Sequence, residues 1–355
     1  MQRKLILDYR KKEKRKLLVL IILAIFLAAG CLIFTGQGVM KIPPREIAGI
    51  IFSFLTGDNM GPAGLDDIHR AVILDIRLPR ILTAVLVGAG LSTAGAVFQG
   101  LLMNPLADPY TLGVSTGAAF GASLAIFFGI YLPGDLGLLT VPLFAFAGAL
   151  LALGAVYGLA LVNGTLAVTN LILAGVIVSA ILSAAVSFLK SMSGEGVGSI
   201  VFWLMGSFAS RGWQHVFLCL PAVLAGLLIC CRYAGDLNVL SLGVRSARQL
   251  GVDDGKVVTI LLVTCSLITA ACVSVSGIIG FVGLIVPHLM RMLVGPDHRF
   301  LLPVSALGGA FLLSGADTIA RNTLAVEIPV GVLTTLLGGP FFCYLFKRKA
   351  KSQAF

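Results

Sequence analysis

The stretch GVSTG, Gly113 to Gly117, carries the G-x-S-x-G spacing of a nucleophilic serine, with Ser115 at its centre. That chemistry needs a strand-to-helix turn and a histidine–carboxylate pair to accept the serine proton. Here the motif opens a charge-free run, so a membrane-embedded serine hydrolase is the weakest reading. SFLK, Ser187 to Lys190, matches S-x-x-K without its companion motifs. A lysine that ends an apolar run needs no more explanation than reach toward water. GVDDGKV, Gly251 to Val257, has the glycines and lysine of a phosphate loop at the wrong spacing. Val257 also stands where a magnesium-binding hydroxyl belongs. The four histidines, His69, His215, His288 and His298, are scattered, and the seven cysteines form no C-x-x-C pair. They read as small buried hydrophobes. The expectation is a chain that is not an enzyme, with no catalytic residues, no metal site and no bound cofactor.

The elements that must position the remaining charged residues follow from composition. Of 355 residues, 58% are hydrophobic and 12% charged, against about 25% charged in an ordinary soluble domain. So large an apolar excess points to an all-α polytopic membrane protein. Charge-free runs predict about ten transmembrane helices: 17–35, 81–103, 111–130, 139–161, 168–189, 213–231, 257–277, 279–294, 301–318 and 329–346. VNGT, Val162 to Thr165, supplies the turn that splits the charge-free stretch between Asp135 and Lys190. The eighth run is short and contains Pro287. The first resembles a signal peptide with a lipid-attachment cysteine at Cys31, but its length favours an uncleaved helix. The domain reading is a basic tail over 1–16, one transmembrane domain over 17–346 with its longest inner loop at 235–256, and a second basic tail over 347–355.

With ten spans both termini share a face. Lys and Arg divide into eighteen on that face and eight on the other, so the positive-inside rule makes both termini cytoplasmic. The net charge of +10 then reflects orientation and contact with membrane lipids rather than nucleic acid. Arg77 and Arg80 fall on the outer face, against the bias. No predicted span has an ionisable group near its middle, which counts against the main alternative, an ion-coupled secondary transporter. Asp317 comes nearest, and Arg321 stands at i+4 to neutralise it. Gly113, Gly117 and Gly121, spaced by four, predict one flat face for close helix contact, and Ser92, Ala96 and Gly100 predict another.

RLPRILTAVLVGAGLSTAGAVFQGLLMNPLADPYTLGVSTGA, Arg77 to Ala118, resembles the signature of the FecCD family, the permeases of ABC importers for iron–siderophore complexes, haem and vitamin B12. SARQLGV (Ser246 to Val252), GFVGLIVPHLMR (Gly280 to Arg291), DHRFLLP (Asp297 to Pro303) and EIPVGVLTTLLGGPFF (Glu327 to Phe342) resemble its other blocks in the same order. The resemblance covers nearly all the chain after the first helix. It implies the type II ABC importer permease fold in a bacterial or archaeal cytoplasmic (inner) membrane. The implied partners are a second copy of the chain, two ATP-binding subunits that hold the ATP and Mg, and a soluble or lipid-anchored substrate-binding protein.

The same resemblance assigns roles residue by residue. Arg77, Arg80 and Arg321 match outer-face positions that pair with carboxylates of the binding protein, a task that suits the planar guanidinium fork. The loop carrying Leu242, Gly243, Arg245, Ala247, Arg248, Leu250 and Gly251 forms two short helices broken near Gly243 and seats in the ATPase. Ala247, Leu250 and Gly251 supply its small apolar contact, while Arg245 and Arg248 either meet acidic residues there or set orientation only. Asn104 and Leu106 in MNPLADP line an inner gate, with a second constriction at Val168, Thr169 and Asn170. The function implied is import of a metal chelate, with ferric siderophore first and haem and cobalamin next.

Overall fold

The computed structural model describes residues 2–38, 40, 42–56, 67–162, 165–166, 168–323 and 326–353. Its helices are α1 (Gln2–Gly36), α2 (Pro44–Thr56), α3 (Asp67–Ala71), α4 (Leu78–Leu101), α5 (Val114–Phe127), α6 (Thr140–Ala160), α7 (Val168–Met192) and α8 (Val197–Leu204). After these come α9 (Trp213–Arg232), α10 (Ala234–Leu240), α11 (Val244–Gln249), α12 (Asp254–Ser276), α13 (Val282–Val294), α14 (His298–Asn322) and α15 (Val330–Gln353). Among the described residues seven helical stretches are long and apolar enough to cross a membrane, and three shorter apolar helices, Val114–Phe127, Val282–Val294 and Val330–Tyr344, occupy the remaining predicted runs.

The core is built on α4, because small residues let its neighbours come to backbone contact. A Cβ on Gly88 would strike the Gly309 carbonyl of α14, and one on Gly95 would strike the Gly283 carbonyl of α13. The Ser92, Ala96, Gly100 series is therefore divided between partners. Ser92 faces Gly309, whereas Gly100 lies beneath the His298 ring. In the other predicted series Gly117 and Gly121 do share a face, pressed on α6 around Gly148 and Phe144. Gly113 departs from it. With φ 75° it is the left-handed residue before α5, and it faces Ser179 and Gly175 of α7.

Two further departures have local causes. The helix that starts at Leu78 is preceded by a π-helical turn, Val72–Arg77, with Pro79, which lacks an N–H, in its first turn. The run at 279–294 becomes helical only at Val282, and 13 residues at 1.5 Å each span about 20 Å, short of a bilayer core. Irregular backbone beside α13 is satisfied from within, since the Tyr110 hydroxyl donates to the Ile279 carbonyl at 2.7 Å. The expectation of an all-α chain also needs one amendment. Two-residue strands β1 (Leu161–Val162) and β2 (Thr165–Leu166) pair antiparallel, Leu161 with Leu166 and Val162 with Thr165; Asn163 and Gly164 of the expected turn lie outside the described residues.

Candidate functional site

Arg77, Arg80 and Arg321 come together at the end of the bundle where α1 and α14 finish, and each is already engaged. The last carbonyls of α1 have no intrahelical partner. Arg77 Nη1 donates to two of them, Thr35 at 2.9 Å and Gly36 at 3.3 Å, while Nη2 donates to Met40. Arg321 Nη2 donates to the Phe34 carbonyl. Both cations thus sit where the α1 dipole favours positive charge. Arg80 grips Asp317 through two parallel bonds, Nε to Oδ2 at 2.9 Å and Nη2 to Oδ1 at 2.8 Å, and reaches Glu327 at 3.1 Å. The side chain of Asp317 is 2% exposed and that of Glu327 is 48% exposed.

This geometry corrects the expected Asp317–Arg321 pair: the partner of Asp317 is Arg80, on another helix. It also means that neither Arg77 nor Arg80, both buried, presents a free guanidinium. The carboxylate that an ion-coupled carrier could have used is spent on a salt bridge.

At the opposite end, α10 and α11 meet at Gly243, whose φ of 101° a side chain would resist. Leu242, Val244 and Leu250 are 67%, 46% and 65% exposed, and Arg245 and Gly251 are exposed beside them. Ala247 is fully buried in the chain's own core, so it supports the loop and supplies no outward surface. Arg248 Nε lies 2.6 Å from Asp254 Oδ1. That hydrogen bond raises the Arg248 guanidinium above its usual range and directs it back onto its own loop.

Asn238 anchors this unit, a connection no local sequence signal announced. Its Nδ2 donates to Asp297 Oδ1 at 2.7 Å, and its Oδ1 accepts from the His298 N–H at 2.9 Å and lies 2.8 Å from His298 Nδ1. The start of α14 is thereby tied to α10, with the His298 ring against Gly100 of α4. Burial works to raise the Asp297 carboxyl, but the Asn238 amide, the Arg299 N–H and nearby Lys16 outweigh it and hold the group below the usual range.

Of the gate candidates, Asn104 and Leu106 lie in a short turn, and Val168, Thr169 and Asn170 open α7. The chain leaves α4 through Met103 at φ 47°, and Asn104 Oδ1 accepts from the Leu106 N–H at 3.0 Å. Asn104, Leu106 and Thr169 are exposed, and Asn170 is half-buried. The side chain of Val168 lies outside the described residues. Gly175 of α7 packs on the Thr111 carbonyl, so the turn after MNPLADP rests on the helix that begins with Val168. Asp108, in that turn, caps Tyr110 at 2.8 Å, and burial pushes its carboxyl up to about 6 against that bond.

The cobalamin import system permease of Halobacterium salinarum is 48% identical over 285 residues, 80% of this chain and 75% of that protein. The hemin transport system permease of Yersinia pestis is 40% identical over 336 residues, 88% and 99%. The molybdate import system permease of Haemophilus influenzae is 39% identical over 337 residues, 93% and 96%. A solved inward-facing structure of a metal-chelate type ABC transporter superposes with a TM-score of 0.81 at 36% identity, covering 93% of this chain and 99% of that one. With that agreement in sequence and in fold, and with a family match running over residues 17–348, the chain belongs to the FecCD transport family.

Proposed function

We propose that the chain is the membrane permease subunit of an ABC importer that moves a metal chelate inward, with ferric siderophore as the first candidate cargo and haem and cobalamin next. Two copies enclose the path, both termini lie in the cytoplasm of a bacterium or archaeon, and two separate ATPase subunits bind the ATP and Mg. A soluble or lipid-anchored binding protein delivers the cargo to the end that carries Arg77, Arg80 and Arg321. Because Arg77 is spent on α1, docking carboxylates meet Arg80 by taking the place of the half-exposed Glu327. Such exchange steers and orients the partner more than it adds affinity.

The observation that carries this reading is the loop end. Exposed Leu242, Val244 and Leu250 project beside cationic Arg245, and Asn238 links that surface to α14 and, through His298, to α4. An ATPase that grips it therefore pulls on α14 and on α4, the helix that precedes the Asn104–Leu106 turn. Closure of the ATPases shifts the population between outward- and inward-open states.

Reconstitution of the chain with its ATPase and binding protein in liposomes tests the reading. Uptake of an iron chelate should require ATP and all three components. Uphill uptake by the chain alone, driven by an ion gradient, would overturn it.

A further inference from the structure

A cavity of about 480 Å3 opens at the arginine end, between the end of α5, the start of α6 and the short helix α8. Ile126, Val141, Phe202 and the Trp203 ring give it an apolar wall, and Ser199, Ser207 and Arg211 line its polar side. Its size lies in the range of ligand pockets.

Two buried donors beside it lack acceptors. Trp203 Nε1 and Arg211 Nε are both buried without a hydrogen-bond partner, a state that costs about 1–3 kcal/mol per group and more for a charged one. Arg211 forms no ion pair among the described residues. Its Nη1 lies 3.4 Å from His215 Nε2, while His215 Nδ1 is placed to accept from the Gly212 N–H at 3.3 Å. A neutral imidazole has one acceptor nitrogen, so it serves Gly212 or Arg211 but not both. Ser207 Oγ accepts from the Ala209 N–H at 3.1 Å and keeps its own proton to donate. Burial first, and the charge of Arg80 second, pull the Arg211 guanidinium down to about 10, which still leaves it charged at neutral pH. Arg77, Arg80 and Arg321 have carboxylates or helix carbonyls; Arg211 lines the cavity.

The geometry points to this cavity as a binding site for an anionic oxygen group, the carboxylate arm of a chelate, held by the Arg211 guanidinium and the Ser207 hydroxyl, with the apolar wall and the Trp203 ring against the rest of the ligand. The assignment deepens the importer reading and rests on it, because it makes the cavity a subsite for cargo at the delivery end. A lipid phosphate has the same chemistry, and the test separates the two sources.

The chain contains two tryptophans, so Trp213→Phe leaves Trp203 as the reporter. The full-length protein in phosphatidylcholine nanodiscs is titrated with gallium(III) citrate, which bears free carboxylates, and with a gallium(III) trihydroxamate that bears none. Citrate should change Trp203 fluorescence saturably, with a Kd at least tenfold weaker in Arg211→Gln and partly restored in Arg211→Lys. The trihydroxamate should respond equally in all three. A citrate Kd within twofold of the parent in Arg211→Gln, in protein whose melting temperature is unchanged, would overturn the site. An Arg211-dependent signal produced by adding phosphatidylglycerol, and blind to citrate, would overturn the cargo assignment in favour of a lipid. Transport by the reconstituted complex keeps the two readings apart. If wild type imports chelate under ATP and Arg211→Gln binds citrate normally, only this inference fails; if wild type imports none, the importer reading fails first.

Discussion

Arg80 and Asp317, 237 positions apart, face each other through two parallel hydrogen bonds of 2.9 and 2.8 Å. Their salt bridge joins the first turn of α4 to the last turns of α14, the two helices whose middles touch at Gly88 and Gly309. Removing one partner of a buried pair leaves an uncompensated charge, at a cost of about 3–5 kcal/mol. Asp317→Asn should therefore lower the melting temperature in detergent by several degrees, while Arg80→Met/Asp317→Leu recovers most of the loss. A double mutant as unstable as the sum of the singles would mean that the two residues act separately.

The delivery face is tested through Glu327, which competes for Arg80 and is half exposed. Glu327→Gln keeps the Asp317 bridge and removes the rival carboxylate. The binding protein should associate more tightly with this variant, by about 0.2–1 kcal/mol as for other exposed pairs, and most clearly at low salt. Charge reversal at Arg80, in protein that still folds, should weaken it. Unchanged association for both variants would place docking elsewhere.

At the loop end the contrast is between Leu250, 65% exposed, and Ala247, fully buried. Leu250→Asp should abolish co-purification of the ATPase and leave the thermal stability of the permease intact. Ala247→Asp should instead lower that stability, since it forces a charge into the core.

Glycine substitutions give a sharp control on packing. A Cβ at Gly121 meets the Phe144 backbone, which cannot move aside as a side-chain tip can, whereas at Gly154 nothing lies within 4 Å. Gly121→Ala should reduce yield and melting temperature. Gly154→Ala should be neutral or slightly stabilising, as a glycine replaced in a helix interior usually is.

The Asp297 carboxyl is held low by Asn238, the Arg299 N–H and Lys16. A carboxyl with a depressed folded pKa adds stability that is full above its unfolded value, about 3.9, and is lost as pH falls through the folded one. Melting temperatures measured from pH 7 to pH 3 should fall less steeply in Asp297→Asn than in the parent. Parallel curves would show that Asp297 gives no pH-dependent support.

How far the chain announces itself can be judged from these residues. Hydropathy and turn chemistry are local sums along the backbone, so the apolar runs, the separation of α6 from α7, the two short helices around Gly243 and the family blocks were all legible in order. The i,i+4 rule was legible too, and it misled: Asp317 and Arg321 share a helix face, yet a closer guanidinium arrives from α4. The burial of Ala247, the capping of α1 by Arg77 and the tie from Asn238 to Asp297 depend in the same way on which helices come to lie side by side. That adjacency is set by small residues meeting across sequence distances that no periodicity spans, and so only the packed bundle decided which charges are spent and that Arg211 faces no carboxylate among the described residues.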